Sequence, residues 1–335
     1  MATALSLAVP ASAAAPAIRE LGTLPGYVSF TATAVNNLGT AVGYATDANF
    51  RDIAVKWSVT GAATDLGTLP GDDYSRAFGV NDRGEIVGYS GNSTTDLEHA
   101  VEWNARGTIT DLGASPGQLS ISDAYAINDI GEVVGSDQTA SRTITATRWS
   151  PGGAIDNFGL AAIDTVGDTT VSAVNDLGQM AGYHSVIHGR PTPARWRPDG
   201  TYEELPVLPN SRGGGGTANG INNLGVAVGM SPTYLFHHFH AVSWDNAGNL
   251  TDLGTLPGGD TSQANAISDA GLVVGSSADA TGGGHGVTWS RAGTIAQLPD
   301  LPGGMYGEAL AVSDSGFIVG DDTDANGNQV AVRWR

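Results

Sequence analysis

Ala77-Phe78-Gly79-Val80-Asn81-Asp82-Arg83-Gly84-Glu85-Ile86-Val87-Gly88, followed fifteen residues later by Trp103, is one copy of a unit that the chain carries seven times. Seven tryptophans, Trp57, Trp103, Trp149, Trp196, Trp244, Trp289 and Trp334, keep the beat at spacings of 45 to 48 residues. Gly43, Gly88, Gly135, Gly182, Gly229, Gly275 and Gly320 keep the same beat, as do seven turns from Asn36-Asn37-Leu38-Gly39 to Ser313-Asp314-Ser315-Gly316. A period in this range marks a repeat architecture and outranks any reading from length alone.

Each unit reads as four strands. Strand a ends in an alternating run such as Ala124-Tyr125-Ala126-Ile127. The Asn/Asp-x-Gly turn has the residue types of a tight hairpin with a left-handed glycine. Strand b follows, as in Glu132-Val133-Val134-Gly135; strand c is Ala241-Val242-Ser243-Trp244 in one copy, and strand d is Leu250-Thr251-Asp252-Leu253. Four short strands in ~40–45 residues describe a propeller blade, not a helical solenoid. The pattern predicts an all-β, seven-bladed β-propeller with four antiparallel strands per blade. After Trp334 no strand d remains, while Ile18-Arg19-Glu20-Leu21 aligns with Ile109-Thr110-Asp111-Leu112. The N-terminal strand Ile18–Leu21 is therefore expected to complete the last blade and seal an edge that would otherwise be open.

Composition narrows the chemistry. With 41% hydrophobic and 15% charged residues the chain is globular, and without cysteine it has neither disulfides nor thiol chemistry. A formal charge of −19 argues against nucleic acid and anionic membrane surfaces. Residues 1–15 are an Ala-rich, signal-like leader ending near Ala11-Ser12-Ala13, too short to span a bilayer, and residues 16–335 form one domain. We expect a secreted monomer with no membrane insertion and no obligatory cofactor.

The units resemble the HAF-type bacterial extracellular repeat. The resemblance rests on Asp252-Leu253-Gly254-Thr255-Leu256-Pro257-Gly258-Gly259 and on His99-Ala100-Val101-Glu102-Trp103, and it covers residues 18–335. It implies an extracellular location and supplies no catalytic residues.

Length variation points to a working face. The a–b turn keeps one length in all seven units and the c–d turn in the six that hold both of its strands in sequence order, whereas the d–a and b–c connections vary. In an antiparallel blade the two variable connections emerge on one side, and variable loops on a rigid scaffold are where binding usually lives. The fifth unit has long versions of both, with Arg212 in its glycine-rich lead-in and Tyr234, Phe236, His237, His238 and His240 in its b–c loop. The fourth adds His184, His188 and Arg190, with Asp164 and Asp168. These residues are the expected recognition site, for an extracellular glycan or protein, since aromatic faces stack on sugar rings and His, Arg and Asp bridge polar groups. His184 with His188, or His237 with His240, could instead supply imidazoles to zinc. Asp322, Asp324 and Asn326 begin like an oxygen-ligand calcium loop, but Arg333 stands where the closing Glu belongs, and a polar hairpin explains the same letters. The strand-a positions Thr31, Arg76, Asp123, Thr170, Thr217, Gln263 and Glu308 would line a polar channel mouth. No nucleophile elbow or phosphate loop is present. Binding is the leading reading; a glycosidase or lyase on the same face and a non-catalytic interaction scaffold are the alternatives.

Overall fold

The computed structural model describes residues 16–114, 118–158, 167–185, 189–209, 211, 215–234 and 238–335. The leader, residues 1–15, lies outside them. Among the described residues all regular structure is β: 28 strands, numbered β1 to β28 in chain order, from β1 (Ile18–Glu20) and β2 (Tyr27–Val35) to β26 (Gly307–Val312), β27 (Ile318–Thr323) and β28 (Gln329–Trp334). Among the described residues no helix is long and apolar enough to cross a membrane.

The strands fall into antiparallel four-strand sets. Five sheets have four strands, and one of eight comprises two sets, β6–β9 and β10–β13, joined by a single parallel bridge between Ile121 and Glu98. Six sets run in sequence order. The remaining one is β1-β28-β27-β26, with Ile18 opposite Trp334. Ala17 and Arg335 exchange two backbone hydrogen bonds beyond that pairing.

The repeated residues each have a mechanical reason. In every set, strand a carries a bulge against strand b, as at Ala77/Gly79 opposite Gly88 and Val87. The bulge drives the preceding strand-a carbonyl into the space over strand b. A Cβ on Gly88 would lie 1.9 Å from the Arg76 carbonyl oxygen, and one on Gly182 would lie 2.0 Å from that of Thr170. Only glycine fits there. The tryptophans of strand c are buried, 0 to 3% exposed, and each sits in a cluster shared by two sets. Trp103, for example, packs with Ala77 and Ile86 of its own set and with Val42 and Ala54 of the previous one. Trp57 lies in the cluster that also holds Phe317, Val319 and Ala331, so the final set packs on the first. Four indole N–H groups donate to the loop that follows strand d, including Trp57 to the Gly22 carbonyl (2.7 Å) and Trp334 to that of Pro299 (2.8 Å).

The a–b turns are tied to one another. Asn36, Asn81, Asn128 and Asn175 are buried, and each donates Nδ2–H to the backbone carbonyl of its equivalent in the next set, ending with Asn222 to Ser268. A second ladder uses the following residue. The Asn37 N–H donates to Asp82 Oδ1, Asp82 to Asp129, Asp129 to Asp176, Asp176 to Asn223, Asn223 to Asp269 and Asp269 to Asp314. Ser315 N–H then donates to Asn37 Oδ1 (3.0 Å), which brings the ladder back to its start.

Candidate functional site

The d–a and b–c connections do gather together. Around the fifth set, β18 (Thr217–Ile221), β19 (Ala227–Pro232), β20 (Phe239–Trp244) and β21 (Leu250–Gly254), they border a cavity of about 390 Å³. Its lining is Leu208 and Pro209 from the loop before β18, Thr233 and Tyr234 after β19, His240 on β20, Asp252 on β21, and Gly259 and Asp260 beyond it. Tyr234 is 65% exposed, an aromatic face presented to solvent.

One imidazole–carboxylate pair lines this cavity, and a second reaches it through Asp260. His240 Nδ1 lies 3.0 Å from Asp252 Oδ2, and His238 Nδ1 lies 3.1 Å from Asp260 Oδ2. The Asp252 hydrogen bond outweighs burial and raises the His240 pKa. Burial opposes ionisation of Asp252, but the bonds from His240 and from the Gly254 N–H prevail and lower its pKa. The pair thus holds a fixed charged acceptor beside an imidazole N–H. A donor and an acceptor next to an exposed ring suit a polyhydroxylated ligand.

The other expected site residues are placed differently. Phe236, His237, Arg212 and His188, with Asp164, lie outside the described residues. His184 is buried at 4% exposure between β15 (Met180–His184) and β17 (Tyr202–Glu204), its Nε2 3.1 Å from Glu204 Oε1 and its ring edge-on to Tyr202. It is a packing residue, not part of the cavity wall. Arg190 is exposed and lies beside Gly215. Asp168 accepts a hydrogen bond from the Ile144 N–H (2.9 Å) and so straps two sets together.

Of the three candidate metal ligands two serve the backbone, and the Asn326 amide donates to Asp324 Oδ2 (3.4 Å). Asp322 is buried and accepts from the Leu301 and Thr323 N–H groups, both at 2.7 Å. Asp324 Oδ1 caps its hairpin by accepting from the Asn326 and Asn328 N–H groups. Asp47 and Asp279 cap the equivalent turns in the same way. Among the described residues no group of three or more His, Asp or Glu side chains could hold a metal ion.

The inner strands hold a second polar group. Arg76 pairs with Asp52 (2.5 Å) and lies 4.3 Å over the Tyr44 ring. Next along, Asp123 accepts from the Tyr125 hydroxyl (3.2 Å) while its Oδ1 is buried without a partner among the described residues. Burial first, then the charge of Glu98, pushes the Asp123 carboxyl up to about 6.

Asp252 and Asp260 were not singled out in the sequence, although a signal exists. His99 and Asp111, His240 and Asp252, and His285 and Gln297 are each twelve residues apart, and each pair is in contact. Strand c and strand d are antiparallel neighbours, so this interval sets the two side chains side by side.

No protein-family model matches the chain, and no curated protein does. Solved structures do resemble it. A lectin from Burkholderia pseudomallei shares 11% identity at a TM-score of 0.52, covering 91% of this chain and 98% of the lectin. An acylaminoacyl peptidase from Pyrococcus horikoshii shares 12% identity at a TM-score of 0.56, covering 92% of this chain and 51% of the peptidase. Identities this low speak to the fold alone: an all-β chain of four-stranded antiparallel sheets of the β-propeller kind.

Proposed function

We propose that this chain is a secreted, seven-bladed β-propeller that binds carbohydrate through the cavity around Tyr234. Closure of the blades into a circle is supported by β1 pairing with β28, by Trp57 sharing a cluster with Phe317, and by the turn ladder that returns to Asn37. The resemblance to HAF-type extracellular repeats supports secretion. The observation that carries the binding reading is the conjunction on one cavity of exposed Tyr234, the His240–Asp252 pair and Asp260, which His238 pairs from behind the lining. The ring supplies a stacking platform, and the pairs supply directional hydrogen bonds.

A glycan array tests it. The intact protein should select a small set of glycans, and Tyr234→Ala and His240→Ala should each lose them while melting normally. Binding retained in both variants would move the site elsewhere. A second reading, a polysaccharide-acting enzyme, is favoured by Asp123, a carboxyl pushed up to about 6 by burial and lying beside Tyr125. Release of reducing ends or unsaturated products, abolished by Asp123→Asn, would favour that reading over binding.

A further inference from the structure

The opposite side, built from the a–b and c–d turns, carries two cavities that share a wall. One, of about 210 Å³, is lined by all seven a–b turns. Five of its lining residues are aspartates: Asp82, Asp129, Asp176, Asp269 and Asp314. The second, of about 290 Å³, is lined by the aliphatic side chains of Leu224, Val226, Leu253, Ile267, Val273 and Ala292, with Arg291 and the hydroxyls of Ser243, Thr251 and Ser290 at its border. Asn222 and Ile267 border both. An anionic hollow and an apolar hollow are therefore adjacent.

The carboxylates are held in place, and burial together with the neighbouring charges of Asp82 and Asp176 raises the Asp129 pKa. Each Oδ1 accepts a backbone N–H from the previous turn, which fixes the side chain. Among the described residues Oδ2 of Asp129 and of Asp314 accepts no hydrogen bond from the protein. Among the described residues the cation on the a–b turn tips is Arg83, committed to Glu85 (2.6 Å), while Arg291, on a c–d turn, borders the second cavity. Around the opening stand exposed aliphatic side chains at the third turn position: Leu38 (67%), Ile130 (55%), Leu177 (62%) and Leu224 (54%). Ile130, Leu177 and Leu224 belong to three consecutive sets. Aliphatic side chains at such tips make no hairpin more stable, and an apolar rim around a charged opening marks an interaction surface.

We infer that this side docks a segment of another protein that presents an arginine or lysine next to a bulky aliphatic residue. The cation enters the aspartate-lined cavity. The aliphatic side chain fills the neighbouring hollow beside Leu224, and the rim covers the flanks. Charge complementarity selects this occupant: five fixed carboxylates demand a cation, and a chain with a formal charge of −19 repels an acidic partner. The surface is separate from the cavity at Tyr234, so either can fail without the other.

The test uses the full chain and a fluorescein-labelled, acetylated and amidated pentapeptide with an arginine–leucine pair at its centre. Fluorescence anisotropy should show saturable binding that weakens as sodium chloride is raised. The same peptide with citrulline for arginine should bind at least about tenfold more weakly. The double variant Asp129→Asn, Asp176→Asn keeps both Oδ1 acceptors, as Asn37 and Asn223 do naturally, and should also lose about tenfold or more. Ala292→Trp, placed to fill the apolar hollow, should weaken the peptide while leaving the melting curve in place. If the aspartate variant does not fold, the salt dependence and the citrulline peptide still decide. Equal binding of the arginine and citrulline peptides, or no saturation, overturns the inference. Calcium chloride that binds stoichiometrically while the peptide does not would assign the opening to a metal ion. Sedimentation velocity showing a dimer that Leu177→Ser dissolves would assign it to a second copy. Either result overturns it as well.

Discussion

Replacing Asn175 isolates what one rung of the turn ladder is worth. Its Nδ2 donates to the Asn222 carbonyl (2.8 Å) and to Gln179 Oε1 (2.8 Å), and its Oδ1 accepts from the Leu177 and Gln179 N–H groups. Asn175→Ala removes all four. Solvent can reach the turn donors, so each of their bonds is worth about 1 kcal/mol or less net. The Asn222 carbonyl is buried, and leaving it unpaired costs about 1–3 kcal/mol. The expected loss is about 3 kcal/mol. Asn175→Ser provides an internal comparison, because the chain already uses serine at two of the seven positions. Ser268 and Ser313 accept the turn N–H through Oγ (3.2 and 3.1 Å), yet neither donates to the following set. Serine at 175 should keep the bond from the Gln179 N–H, as Ser268 and Ser313 keep theirs, and lose the inter-set bond, a smaller loss of about 2 kcal/mol. Urea unfolding at fixed protein concentration reads both, as midpoint shifts with an unchanged slope. If alanine and serine are indistinguishable, or if alanine costs under about 0.5 kcal/mol, the ladder does not hold adjacent sheets together.

Three further outcomes follow from the same structure. Gly182→Ala should destabilise by more than about 4 kcal/mol, because its Cβ would meet the Thr170 carbonyl oxygen at 2.0 Å; a soluble variant with a near-normal melt would show that the bulge relaxes easily. Deleting residues 16–22 removes β1 and the Gly22 carbonyl that receives the Trp57 indole, and should abolish the cooperative melt; an unchanged melting temperature would contradict circular closure. The Asp123 carboxyl is raised to about 6 by burial and by Glu98, so the folded chain holds a proton that the unfolded chain has released. That contribution is fully present below the unfolded value near 4 and is lost as pH rises through 6, which lowers stability at neutral pH by up to about 3 kcal/mol. Asp123→Asn should raise the urea midpoint near pH 7 and flatten its slope over that window, leaving the part owed to Asp321, also pushed up to about 6 by burial and by Glu308. A midpoint unaffected by Asp123→Asn would refute the assignment.

Much of the fold was legible because local geometry dictated the letters. The glycine of each a–b turn has positive φ, from 73° at Gly178 to 86° at Gly131, as the Asn/Asp-x-Gly reading requires. The strand identities and the pairing of Ile18 with Trp334 also follow the pattern read from the repeats. The glycine of strand b was visible only as a beat, since its cause is the approach of a carbonyl across a bulge. The asparagine before the turn was read as a turn former. Its Nδ2 works on the neighbouring sheet some 45 residues away in sequence, which no local pattern discloses. The constant length of these turns therefore has a structural cause, because a longer turn would break two ladders at once. Constancy of length consequently does not rule out binding on that side. At the candidate site, Tyr234, His238 and His240 were found by their clustering. His184 belonged to the same composition signal but is buried at the end of its strand against Tyr202 and Glu204, a contact across the sheet that composition does not reveal.

The pairing of β1 with β28 also has a mechanical consequence. Ile18 faces Trp334 and Glu20 faces Val332, so the two outermost residues of the antiparallel pair lie side by side. Tension applied between Ala17 and Arg335 would open that pair one rung at a time, like a zipper, instead of loading all its hydrogen bonds together in shear. The pair that joins the first strand to the last would then yield at low force under a pull applied between Ala17 and Arg335.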